Sequence, residues 1–244
     1  MSHAEVIVVG AGHNGLICAA YLARAGIDTL LIEARADVGG CASTLTALGA
    51  RFNIGSGDHT LSRAMPVADE LELGSHGLRY LQAEAGHINL FHDDSSPWVC
   101  LHETEQMLTS LQHSYPAQVD NYRRYLVDAM PVAELVRELA RARVTAGHLL
   151  AATLRRRARG VATLRDWSRR SANDVLQSYF DDWRLVMPAI SSGPTRSGVP
   201  PATPGTGLAA LVYAVRHLVP PGRPEGGTGA LTDAARASFE AAGG

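Results

Sequence analysis

The sequence predicts an α/β protein built on a Rossmann-type βαβ unit and continued by a largely helical middle. Three observations carry this. A β-branched run at 5–9 ends at Gly10, a helical pattern follows to Gly26, and an apolar run at 29–32 ends at Glu33. Strand, helix and strand within about 30 residues make a βαβ unit, whose crossover is nearly always right-handed.

The first strand reads as buried on both faces, since a parallel sheet between two layers needs continuous apolar runs rather than alternation. In the helix, Leu16, Ala19, Ala20, Leu22 and Ala23 supply the apolar stripe, and Gly26 ends it. Residues 51–54 form a strand or an extended segment, and 55–58 are turn-like. Short strands are expected at 78–81 and 88–91. The second turns through 92–96 and returns at 98–101 as an antiparallel hairpin. Helix-forming residues dominate 103–114, 117–144 (interrupted at Pro131), 148–159 and 173–187. In the last, Val175, Leu176, Tyr179 and Trp183 fall at helical spacing and read as core. A loop at 192–207 precedes helices at 208–218 and 228–242.

Composition narrows the function. The chain has 244 residues, 46% hydrophobic and 19% charged, with a net charge of −2, so no nucleic-acid partner is expected. Arg155, Arg156, Arg157, Arg159, Arg169 and Arg170 read as a solvated helix face, with contact to an anionic partner or a membrane surface as the alternative. Cys18, Cys41 and Cys100 are too few and too irregular for a disulfide framework or a zinc site; no metal is expected, and a reducing cytoplasm is. No secretory leader is read at the N-terminus. No apolar stretch reaches the ~18 residues of a membrane-spanning helix.

Gly10-Ala11-Gly12-His13-Asn14-Gly15 is a G-x-G-x-x-G after a strand and opening a helix. Gly10 allows the tight turn, Gly12 lets backbone approach a pyrophosphate, and Gly15 lets helix and strand pack closely. The helix N-terminus adds free N–H groups and a positive dipole end. Glu33 stands where a ribose hydroxyl acceptor is expected and repels a 2′-phosphate, which disfavours NADP without separating NAD from FAD.

The next residues favour FAD. Glu33-Ala34-Arg35 followed by Gly39-Gly40-Cys41-Ala42-Ser43 resembles the extended segment of FAD-binding flavoenzymes, specifically the phytoene-desaturase-related branch of the flavin amine-oxidase superfamily. Residues 49–55 are similar to that family's following segment, and 225–231 to the Gly-Gly element that returns the chain to its FAD domain. The resemblance implies FAD held by Gly10, Gly12, His13, Asn14, Gly15, Glu33, Ala34, Arg35, Gly39, Gly40, Cys41 and Ala42. It implies an FAD-binding domain at 1–75 and 220–244, and a substrate domain at 76–219 with a small antiparallel sheet and helices.

Members of that family run to roughly twice this length, so the chain is expected to be either a truncated product or one subunit of a split enzyme, in which case a second polypeptide supplies the C-terminal half of the fold. The activity implied is dehydrogenation of a C–C or C–N bond in a small or apolar molecule. The alternatives are a non-catalytic relative that binds lipid or protein, or an inactive fragment. A flavin accepts the hydride itself, so no catalytic side chain is assigned. Asp58-His59 falls in the family's early flavin-proximal segment, although an ordinary polar turn is the simpler reading.

Overall fold

The structure is a computed structural model that describes residues 3–141, 145, 147 and 160–244. The helix expected at 148–159, with Arg155, Arg156, Arg157 and Arg159, lies outside the described residues. Two compact units form, one from residues 1–83 and 221–244, the other from 84–220.

Unit 1 begins with the expected βαβ. Strands β1 (Val6–Val9) and β2 (Thr29–Ile32) pair in parallel, Val6 opposite Thr29 and Val9 opposite Ile32. Helix α1 (His13–Arg24) joins them, burying Leu16, Ala19, Ala20 and Ala23. It ends at Ala25, followed by Gly26 at φ +78°, as the sequence predicts. The expectation of two buried faces fails. Ile7 and Val9 are 58% and 78% exposed, and Leu30 and Ile32 are 48% and 45% exposed. Only the face turned to α1 is covered by described residues, so the strands alternate although their sequence does not.

Strands β3 (Ala42–Ala47) and β4 (Ala50–Gly55) form an antiparallel hairpin, of which the sequence predicts only the second arm. Its turn, Leu48-Gly49, has φ of +51° and +74°, the left-handed pair that matches the twist of a two-residue hairpin. Short helices α2 (Thr60–Ala64) and α3 (Val67–Glu70) follow. Residues 78–81 are not the expected strand. Tyr80 makes a single bridge to Pro224, flanked by Leu81 N–H to Arg223 O (2.8 Å) and Glu225 N–H to Arg79 O (2.9 Å). A lone crossing of two backbone segments satisfies these groups without a ladder.

In unit 2, β5 (Ala85–Asn89) and β6 (Trp98–Leu101) make the expected hairpin, shifted toward the N-terminus and irregular between Ala85 and His87. Helices α4 (Thr104–Ser114) and α5 (Val119–Arg141) follow. Pro131 lies inside α5 rather than interrupting it. An interior proline costs about 3 kcal/mol. The buried face from Tyr122 through Tyr125, Ala129 and Val132 to Leu135 runs past it and offsets that cost.

Helix α6 (Val161–Trp167) precedes the segment expected to be one helix at 173–187. That segment is two, α7 (Ala172–Gln177) and α8 (Trp183–Ser192). Each has its own start signal: Ser171 accepts from Asp174 N–H, and Asp182 from Arg184 N–H at 2.9 Å. Val175 and Leu176 are buried, but Trp183 is 40% exposed and Tyr179 half-buried. The helical spacing breaks between them. Residues Gly207–Leu211 are a 3-10 turn leading into α9 (Val212–Leu218). The unit's core is aromatic: Tyr125 stacks on Trp167 at 6.2 Å and meets Tyr179, Phe180 and Tyr213 edgewise or tilted.

The chain re-enters unit 1 and ends in α10 (Gly229–Ala241), which packs Leu231, Ala234, Ala235 and Phe239 against the same core as α1.

Candidate functional site

The site grows out of how β1, α1 and β2 meet. Gly10, at φ +98°, donates its N–H to Ile32 O at 2.7 Å and turns the chain into α1. Gly15 sits on the first turn of α1 so close to that loop that a Cβ would collide with the Gly10 carbonyl oxygen. Gly12 caps the helix, with no side chain bonded to the first-turn N–H groups and no acidic residue among them. Those groups are the fold's available donors for an anion.

Glu33 closes the loop from the other side. Its Oε2 accepts Ala11 N–H at 2.6 Å and its Oε1 accepts Arg35 N–H at 3.0 Å. The hydrogen bonds from Arg35 and Ala11 outweigh its modest desolvation and hold the carboxyl below its ordinary range. The carboxylate thus pins the glycine loop to the end of β2, and each oxygen keeps capacity for a further donor such as a hydroxyl. The sign of the pH dependence follows: a depressed carboxylate stabilises the fold above the ordinary carboxylate pKa and loses that contribution as pH falls through its folded value. The thermal midpoint of Glu33→Gln should therefore lie below wild type at pH 7 and converge with it in acid. A gap that stays constant from pH 7 to 3 would disprove this role.

The Gly-Gly pair packs against the glycine loop. Gly12 bridges Gly39, Gly39 N–H reaches Ala11 O at 2.8 Å, and a Cβ on Gly40 would come within 3.1 Å of Gly12 Cα. Cys41 is exposed beside it, its Sγ 3.9 Å from His13 Nδ1. Asn14, Ala34 and Arg35 are exposed, whereas Ala42 is buried and its carbonyl accepts from Thr232 Oγ1 at 3.2 Å. Of the twelve predicted residues, Gly39 and Ala42 are buried and the others keep exposed surface, with Gly10, Gly12, Gly40 and Cys41 along the groove where the two glycine segments meet. The glycine cradle and uncapped helix start fit a pyrophosphate.

Residues outside the twelve predicted cofactor residues stabilise this frame. Asn53 Oδ1 accepts Thr228 N–H and Thr44 Oγ1 accepts Gly229 N–H, both at 2.9 Å, so the hairpin caps α10. Asparagine in the middle of a strand was the available signal. His59 is buried rather than in a plain turn, its Nε2 2.5 Å from Thr228 Oγ1 and its backbone N–H donating to Gly222 O at 2.8 Å. Burial lowers its pKa and keeps it neutral, against the opposing charge of Asp58. Among the described residues no group of three His, Cys, Asp or Glu side chains could hold a metal.

The chain is similar to several known proteins. Residues 8–71 match the family described as NAD(P)-binding Rossmann-like domain. The chain is 32% identical over 125 residues to one of the subunits of limonene dehydrogenase from Castellaniella defragrans, covering 51% of this chain and 22% of that protein. It is 47% identical over 55 residues to the carotenoid 3,4-desaturase of Haloarcula japonica, covering 22% of this chain and 11% of that protein. Putrescine oxidase bound to putrescine superposes on 96% of this chain with a TM-score of 0.58 at 21% identity. These matches support an FAD-dependent, amine-oxidase and desaturase-like superfamily. The chain spans 49% of the putrescine oxidase chain and a smaller part of each of these two curated relatives. Its α/β fold is the one the sequence predicts.

Proposed function

We propose that the chain is the FAD-binding half of an oxidoreductase that dehydrogenates a C–C or C–N bond, completed by a second polypeptide. The carrying observation is the groove formed by Gly10, Gly12, Gly40 and the uncapped start of α1, pinned by Glu33. When bound there, flavin would accept the hydride. The chain's own part is to hold the pyrophosphate on first-turn N–H groups and to offer Glu33 to ribose hydroxyls. His13 and Cys41 stand side by side at the lip of the groove, where they would face the ligand's phosphate or ribityl region. Unit 1 is then the FAD domain, and the helices of unit 2 belong to the substrate domain.

The second chain is supported by the apolar face of β1 and β2. Ile7, Val9, Leu30 and Ile32 share one small sheet that described residues cover on one side. Such a surface calls for a further layer. The limonene dehydrogenase relative is by its name one part of a multi-chain enzyme, in keeping with this reading.

A visible absorption spectrum tests the proposal, taken on the purified chain alone and after co-expression with the adjacent reading frame of its source genome. Flavin bands that reach one per chain only in the co-expressed complex are expected. Stoichiometric flavin on the lone chain would overturn the second-chain reading, and flavin in neither sample would overturn the FAD reading.

A further inference from the structure

Within unit 1 a cavity of about 810 Å³ opens between the segment after β2, the β3–β4 hairpin and the first turns of α10. That lies inside the range of roughly 300–1,000 Å³ typical of small-molecule sites. It adjoins the groove at Arg35, but none of Gly10, Gly12, Gly15, Gly40 or Cys41 lines it. Three guanidinium groups do, Arg35, Arg51 and Arg236, each from a different element.

Like charges gathered round one space from unrelated segments repel, and an anion between them relieves that repulsion. Their present partners compete weakly. Arg236 Nε is 3.9 Å from Glu240 and Arg35 Nε 3.8 Å from Glu33, whose oxygens already accept two backbone N–H groups. Arg51 has no ion pair or hydrogen bond with another described residue, and its side chain stands at the exposed end of β4. Guanidinium forks match phosphate oxygens in pairs, which ammonium groups do not. Asp37 and Asp233 also line the cavity, leaving an excess of one positive charge among the five. Carboxylates accept only, so they suit the hydroxyl and amino groups of a sugar and base rather than a second phosphate.

We propose that this cavity binds a phosphate-bearing nucleotide, independently of the dinucleotide assigned to the glycine groove. Arg51 and Arg236 hold the phosphate, and Asp37 and Asp233 hold the nucleoside.

The test is calorimetric titration of ADP into Gly12→Val, whose glycine groove is closed to a pyrophosphate, and into Gly12→Val that also carries Arg51→Ala/Arg236→Ala. ADP should bind Gly12→Val, and the chain with the added arginine changes about tenfold or more weakly, as the loss of charge-assisted bonds implies. Both arginines are exposed, so the added changes should keep the circular dichroism and unfolding midpoint of Gly12→Val. In the same background Arg51→Lys/Arg236→Lys, which keeps charge but loses the fork, should recover part of the affinity. Absence of ADP binding to Gly12→Val, or equal binding by Gly12→Val with and without the arginine-to-alanine pair, would each overturn the proposal. ADP binding by Gly12→Val when neither the wild-type chain nor its co-expressed complex takes up flavin would uphold it while the FAD reading failed.

Discussion

Gly15→Ala should destabilise unit 1 by about 3 kcal/mol and abolish dinucleotide binding, although alanine is the better helix former. At an ordinary helix position the change gains up to about 1 kcal/mol. Here the added methyl meets the Gly10 carbonyl oxygen, and the loop cannot yield. Gly10 N–H is tied to Ile32 O at 2.7 Å, and the next residue, Ala11, is tied to Glu33 at 2.6 Å. Relief requires α1 to lift from β1, which uncovers Leu16 and Ala19. Urea unfolding followed by far-UV circular dichroism reads the loss as a lower midpoint at similar slope. An unchanged or raised midpoint would show that the helix start is free to shift and that the close approach is not required.

Tyr125→Ala should cost about 3–5 kcal/mol, the range for deleting a fully buried aromatic ring. The ring is wholly buried between Trp167, Tyr179, Phe180 and Tyr213, and its hydroxyl donates to Ala210 O at 2.6 Å. Burial pushes the phenol far above its usual pKa, so it stays neutral throughout the accessible pH range. Tyr125→Phe separates the contributions: it keeps the packing, loses one hydrogen bond and leaves the Ala210 carbonyl unsatisfied, at about 1–2 kcal/mol. Differential scanning calorimetry of the two variants measures both. Equal losses would mean that the hydroxyl, not the ring, holds the α5–α7 region together, against the packing account.

What the sequence disclosed depended on whether a residue's role is local. The glycine loop, β1, α1 and β2 were legible because sterics, periodicity and a turn residue act within a few positions. Helix α10 was legible for the same reason. The burial of β1 was misjudged because an apolar run reports what a strand can bury, not what covers it. Strand β3 was hidden because Ala42–Ala47 carries alanine, serine and threonine, with Leu45 54% exposed, and shows no apolar face of its own. The break between α7 and α8 turned on Ser171 and Asp182, whose capping role competes with an uninterrupted helical stripe and prevails. The twelve groove residues were named from a resemblance plus motif chemistry. The approach of the two glycine segments required the Gly12–Gly39 bridge, a contact that no spacing rule specifies.

Unit 1 is discontinuous along the chain, and that sets an order on its biogenesis. During synthesis α1 emerges long before α10, the helix that shares its core, so its apolar stripe must wait. Unit 2 is contiguous and can fold as soon as residue 220 clears the ribosome. Once folded it shortens the effective loop between residues 83 and 221, lowering the entropic cost of bringing α10 to α1. The crossing of residues 79–81 with 223–225 is where that loop is tied. Folding of unit 1 is thereby assisted by its insert, and lesions in the aromatic core of unit 2 should be felt as slower maturation of unit 1.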